Sequence, residues 1–140
     1  MISFDSMRAA LLISFILFAL FTGSCKKHSS CVSSGGGKGG TGTIRVIPTH
    51  SGVYVDSCWI YIKYGTLDEP ANGVYDDSEY CTLNDTIPVA TFDSLKPGIY
   101  YFYGNGYHLL YQAYVKGAAN YTLCSEQTVS IYLPTYPYIP

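Results

Sequence analysis

Four groups of side chains carry potential chemistry. Six of the ten acidic residues, Asp68, Glu69, Asp76, Asp77, Glu79 and Asp85, fall within residues 65–86. Carboxylates at that density suit Ca²⁺, a hard cation that takes six to eight oxygen ligands, with Asp76, Asp77 and Glu79 as candidate ligands. The spacing does not follow the Asp-x-Asp-x-Asp-Gly loop, so a solvated acidic loop is the competing reading. Cysteines stand at 25, 31, 58, 81 and 124. They include no Cys-x-x-Cys, which disfavours zinc and redox chemistry. With Cys25 set aside, the other four permit three pairings. Cys81 with Cys124 is favoured because it would tie down the long acidic segment. Cys58 reads as a small core residue, and Cys31 has no evident neighbour. His50 and His108 fall at strand ends. No Gly-x-Ser-x-Gly or His-Glu-x-x-His accompanies them, so no nucleophile and base are paired and a non-catalytic protein is expected. A hydrolase using residues 65–86 with His108 is the lesser alternative. The 15 tyrosines are the fourth group. Tyr101, Tyr103, Tyr107 and Tyr111 are candidate ligand contacts, since an exposed aromatic band stacks on sugar rings or anchors a partner protein. Tyr is also simply a favourable strand residue.

Composition narrows the classes. The 140 residues are 48% hydrophobic but only 13% charged, with 8 Lys and Arg against 10 Asp and Glu. Nothing there holds phosphates, so no nucleic-acid partner is expected. A charged coiled coil and an acidic disordered tail are excluded as well.

Part of the hydrophobic total lies in a leader. Ala9 to Phe21 is a thirteen-residue apolar run broken only by Ser14. A membrane span needs about 20 residues, so the run is too short. Arg8 before it and small residues after it make a secretory signal peptide over 1–24. Thr22-Gly23-Ser24-Cys25 resembles a bacterial lipobox. That resemblance implies cleavage before Cys25, lipidation of Cys25, and a lipid anchor in the outer membrane of a Gram-negative cell envelope. Two or more acyl chains on one residue suffice for stable anchoring. Residues 25–42, rich in Ser and Gly, read as a flexible tether. The glycine run lacks the Gly-Lys-Ser/Thr ending of a phosphate loop.

From Ile44 onward the chain reads as all-β: short apolar and aromatic runs separated by Gly, Pro, Asn and Asp. Ile44–Ile47 is a first strand. Residues 58–64 are a second, with Cys58, Ile60 and Ile62 on one face and Trp59, Tyr61 and Lys63 on the other. Residues 89–95 hold a third, before a tight turn at Lys96-Pro97-Gly98 in which Gly accepts positive φ. Residues 99–103 are a fourth, ended by Gly104-Asn105-Gly106. Residues 109–116 are a fifth, closed by Gly117, and 119–123 a short sixth. Residues 128–133 are the last, ended by Pro134. Gly65 to Thr86 remains as a 22-residue connection, longer than loops usually run.

Six or seven short strands suit a β-sandwich. Phe92, Leu95, Pro97, Gly98 and Tyr100 resemble the Phe-x-x-Leu-x-Pro-Gly-x-Tyr hallmark of prealbumin-like domains, the carboxypeptidase regulatory-like and transthyretin-like families. The resemblance implies a single prealbumin-like or Ig-like sandwich over 43–134, followed by a tail at 135–140. It also implies that Phe92 and Leu95 fill the core and that Tyr100 forms a tyrosine corner. The hydroxyisourate hydrolase of this fold uses His and Arg residues and a C-terminal Tyr-Arg-Gly-Ser. Here the end reads Thr135-Tyr136-Pro137-Tyr138, so that activity is not implied. The expected protein is a lipid-anchored binding, adhesion or accessory module for an unknown glycan or protein, with a Ca²⁺-stabilised carrier as the alternative.

Overall fold

The computed structural model describes Cys31 and residues 33–140. The expected signal peptide and the expected lipidation site, Cys25, lie outside the described residues. The strands are β1 (Lys38–His50), β2 (Val53–Tyr54), β3 (Ser57–Tyr64), β4 (Asp77–Tyr80), β5 (Thr82–Asn84), β6 (Ile87–Leu95), β7 (Gly98–His108), β8 (Ala113–Leu123) and β9 (Thr128–Pro137). The described residues contain no helix. Eight strands follow one hydrogen-bonded path, β4-β3-β7-β8-β9-β1-β6-β5, and β2 pairs with β1. The two ends of that path, β4 and β5, are separated in sequence only by Cys81. The sheet therefore curls round into a nearly closed form. Nine strands stand where six or seven were expected.

Alternation on β3 is as read from the sequence. Cys58, Ile60 and Ile62 are fully buried, while Trp59 is exposed. These three pack with Ile44, Val46, Phe92, Leu95, Phe102, Val115, Leu123 and Leu133 in one core. The Phe92 and Phe102 rings meet at 5.7 Å.

Several expected strand ends are not ends. β7 runs through Gly104-Asn105-Gly106, β8 runs through Gly117, and β9 runs through Pro134. The glycines serve close approach rather than termination. A Cβ on Gly106 would collide with the Ser57 carbonyl, and one on Gly117 with the Pro134 carbonyl. Pro134 sits where β9 changes neighbours. Before it, β9 lies parallel to β1, from Thr43↔Thr128 to Thr49↔Pro134. After it, Thr135–Pro137 pair with β8. A residue without an N–H fits a position between two ladders.

The expected tether is also part of the fold from Gly35 onward. The Gly35 carbonyl accepts from Ile99 N–H at 2.9 Å, and the Gly37 carbonyl accepts from Lys96 N–H at 2.9 Å. Gly36 and Gly37 have φ of 130° and 124°, which L side chains rarely adopt. A Cβ on Gly98 would meet the Gly36 backbone. Gly98 itself does not take positive φ; Ser94 does, at 57°. The Pro97–Gly98 corner thus needs glycine for the strap laid across it. Tyr100 completes the corner. Its buried hydroxyl accepts from Gly37 N–H at 3.0 Å and donates to the Lys96 carbonyl.

The strap is fixed by a Cys31–Cys124 disulfide. The Cys81–Cys124 pairing favoured from sequence is therefore corrected. Cys81 is buried beside Cys58 between β4 and β5, the two ends of the path, whereas Cys124 follows β8 in mid-path, where it meets Cys31. The 22-residue connection is likewise not structureless, because β4 and β5 lie inside it and pair with β3 and β6.

Candidate functional site

The outward faces of β3, β7 and β8 form one continuous aromatic surface. The register sets Tyr61 against Tyr103, Trp59 against Asn105, and Lys63 against Tyr101. On the other side of β7 it sets Tyr107 against Tyr114 and Asn105 against Lys116. Residues directly opposed in antiparallel strands share a face, so these side chains must lie together. Tyr75 comes from the segment before β4 and stacks on Tyr103, with ring centroids 5.9 Å apart and planes 21° apart. Tyr61 closes that trio at 5.5 Å from Tyr75 and 6.1 Å from Tyr103. Trp59 meets Tyr80 edge-on at 5.4 Å, and Tyr107 meets Tyr114 at 5.1 Å.

Two shallow hollows open on this surface. One, of about 340 Å³, is bounded by Glu69, Tyr101, Tyr103, Lys116 and Tyr136. The other, of about 290 Å³, is bounded by Ser57, Trp59, Tyr80, Asn105, Tyr107 and Tyr114. Tyr138 borders the second, donates its hydroxyl to Asn105 Oδ1 at 2.9 Å, and lies under Lys116 Nζ at 4.9 Å from its ring centre. From Tyr101 to Tyr107 the face runs six residues along β7, about 20 Å. Trp59 is 47% exposed and Tyr136 66% exposed, so the rings are available from solvent. Burial among the rings, and the nearby Tyr101 and Glu69, push the Tyr75 hydroxyl up to about 12. Burial likewise raises Tyr101 and Tyr103 above the ordinary tyrosine value. All three are therefore neutral donors at physiological pH.

Of the four expected ligand contacts, Tyr101, Tyr103 and Tyr107 share this face. Tyr111 does not. It lies in the β7–β8 turn, with its ring 4.7 Å from His108 and 5.3 Å from His50. Trp59, Tyr61, Tyr75 and Tyr136 belong to the surface but were not singled out from sequence. Alternation on the second strand already put Trp59 and Tyr61 on the solvent side, and that was the available signal.

The acidic residues are divided. Asp76 turns to the outer side, 2.9 Å from Lys63 Nζ, and accepts from Tyr64 N–H at 2.7 Å. Asp77 and Glu79 oppose Ile62 and Ile60 on the other side of the sheet. Asp77 is ion-paired with Lys38 at 3.3 Å. Of the three expected Ca²⁺ ligands, Asp76, just before β4, therefore lies on the opposite side from Asp77 and Glu79, which share a face. No group of three or more His, Cys, Asp or Glu placed to hold a metal ion occurs among the described residues.

His50 and His108 do meet, with centroids 5.7 Å apart. His50 Nδ1–H donates to the Thr135 carbonyl at 2.9 Å. His108 Nδ1 accepts from Tyr111 N–H at 3.4 Å, and its buried Nε2 has no hydrogen-bond partner among the described residues. The acidic segment is elsewhere. The Asp76 amide bonds Ile62, which pairs with Phe102, six residues along β7 from His108 and about 20 Å away. The combination of His108 with the acidic carboxylates is not formed at Asp76.

No protein-family model matches the chain, and no curated protein matches it.

Proposed function

We propose that the protein is a non-catalytic, lipid-anchored module of the cell envelope, built on a prealbumin-like sandwich, whose aromatic face binds glycans. One observation carries this reading: the outward residues of β3, β7 and β8 place Trp59, Tyr61, Tyr101, Tyr103, Tyr107 and Tyr114 on one face. Sugar rings have apolar C–H faces that rest on aromatic rings, and hydroxyl edges that need donors and acceptors. Glu69, Lys116 and Asn105 supply those groups at the two hollows. The Thr22-Gly23-Ser24-Cys25 sequence supports the anchor, and the corner at Tyr100 supports the family reading.

A glycan array probed with the purified protein tests the binding. Hits that weaken about tenfold or more in Trp59→Ala and Tyr103→Ala, each with an unchanged melting midpoint, are expected. A stacked ring is worth roughly 0.5–1.5 kcal/mol beyond its area, and truncation also removes that area. No hits on glycans, together with selective capture on a protein array, would replace the sugar by a protein partner. Membrane partitioning that survives Cys25→Ala would reject the anchor.

A further inference from the structure

Cys58 and Cys81 face one another across the β3–β4 pairing. The register that sets Trp59 against Tyr80 sets Cys58 against Cys81, and Cys81 N–H donates to the Cys58 carbonyl at 2.9 Å. Directly opposed residues of an antiparallel pair lie about 4.5–5.5 Å apart at Cα and project to the same side. A disulfide spans about 4.4–6.8 Å at Cα. Both thiols are buried and free, and Cys58 Sγ–H donates to the Trp59 carbonyl at 3.6 Å. Opposite Cys58 on β7 stands Gly106, where a Cβ would press on Cys58 Cα and Cβ, and the sulfur itself lies 3.5 Å from where a Cβ on Gly104 would stand.

We propose that Cys58 and Cys81 form a second, cross-strand disulfide, made by exchange with a disulfide oxidant, that fastens β4 to β3 and holds the Trp59–Tyr80 edge of the aromatic face. β4 has four residues, ends the sheet path and pairs with β3 alone. Beyond that pairing, Tyr80 is held by its hydroxyl, 2.8 Å from Ser57 Oγ, and by the Trp59 ring. The bond would lie on the inner side, one residue from the Trp59–Tyr80 ring contact on the outer side. It also closes the segment of 65–86 that carries Tyr75 and Glu69, so the same bond restrains both hollows.

The exchange balances with glutathione disulfide as oxidant. The Cys81 thiolate attacks one glutathione sulfur, breaks its S–S bond and expels one glutathione thiolate. The Cys58 thiolate then attacks the Cys81 sulfur of the mixed disulfide and expels the second. The cysteines lose two electrons and two protons, and two glutathione thiols form. In the closed fold the neighbouring Cys81 thiol, and then burial, hold the Cys58 thiol well above its ordinary pKa. The thiolate is therefore reached before the core closes, or when the short edge strand opens.

An oxidising setting rests on the envelope location proposed above; the cross-strand geometry does not. The test uses the full chain recovered from its native envelope, alkylated with iodoacetamide in denaturant and cut by trypsin without reduction. Lys63 separates the two cysteines, and Lys116 separates Cys81 from Cys124. The expected product joins peptide 46–63 to peptide 64–116. Alkylation of both residues in native material, with joining after glutathione disulfide is added, supports the pair and counts against the oxidising location. Alkylation of both even after that oxidant, or joining of either to Cys31 or Cys124, overturns the proposal. Cys81→Ala gives the control in which Cys58 stays alkylated. A second readout is glycan affinity, expected to fall several-fold on reduction in wild type and to be insensitive to reductant in a Cys58→Ala, Cys81→Ala double variant.

Discussion

Tyr100 shows how one hydroxyl can organise a corner. The ring fills the core beside Tyr64, and the oxygen bonds both the Gly37 amide and the Lys96 carbonyl. It therefore joins the strap before β1 to the turn before β7. Tyr100→Phe keeps the ring and removes the oxygen. A buried N–H and a half-buried carbonyl each lose a partner, at a cost of about 1–3 kcal/mol. The expected result is a lower denaturant midpoint with the β-sheet circular dichroism retained. An unchanged midpoint would show that other groups satisfy Gly37 and Lys96. The sequence motif pointed to this residue because a Tyr two places after Pro-Gly is a local pattern. It could not point to Gly37, which lies 63 residues away and whose glycine run looked like a linker.

At the scale of elements, β3 was legible and its neighbours were less so, for one physical reason. Cys58, Ile60 and Ile62 alternate with residues facing water, so a period of two is written into the strand. On β7, β8 and β9, glycine and proline read as breaks, yet they occur where another strand's backbone presses close or where the ladder changes partner. Those causes belong to neighbours distant in sequence. The acidic segment followed the same logic, since its density was visible but the start of β4 at Asp77, which leaves Asp76 on the other side, was not. Its firmest member clasps β3 to the next turn. Burial alone would raise the Asp76 pKa, but the Tyr64 amide and the Lys63 ammonium together hold it below the ordinary carboxylate value. A folded pKa below the unfolded one gives stability present above the unfolded value and lost as pH falls through the folded one. Asp76→Asn should lower the neutral-pH midpoint by about 1 kcal/mol or less, given its exposure, and flatten the acid limb of stability against pH. Parallel acid limbs for variant and wild type would contradict it. Two tyrosines, Tyr64 against the core and Tyr75 on the outer face, behave oppositely. Burial, then the Asp77 and Asp76 charges, raise Tyr64 to about 12, and Tyr75 is raised to about 12 as well. Their contribution is complete below the ordinary value of 10.0 and is lost as pH climbs from there toward about 12. Tyrosinate absorbance should accordingly show a late-titrating class that vanishes on unfolding.

For the whole molecule, the nearly closed sheet leaves β4 and β5 as its two ends, and the strap from Cys31 to Gly37 lies outside the strand path altogether. That strap crosses the start of β7 and is tied to the end of β8 by Cys31–Cys124, at a sequence separation of 93. Nothing local in the sequence announces a pairing of that span. The loop-entropy relation assigns a bridge of about 100 residues roughly 4.7 kcal/mol through restriction of the unfolded chain, with measured cases at about 2–5. The folded state should change little without it, because Gly35 and Gly37 still bond Ile99, Lys96 and Tyr100. Replacing both residues, Cys31→Ala with Cys124→Ala, is therefore expected to lower the denaturant midpoint strongly while leaving the native spectrum intact. The unfolding slope should rise at the same time, since an uncrosslinked denatured chain exposes more surface. Equal midpoints would mean that the strap is held by its backbone bonds alone. A lower midpoint with an unchanged slope would shift the effect from the unfolded chain to lost contacts in the folded one.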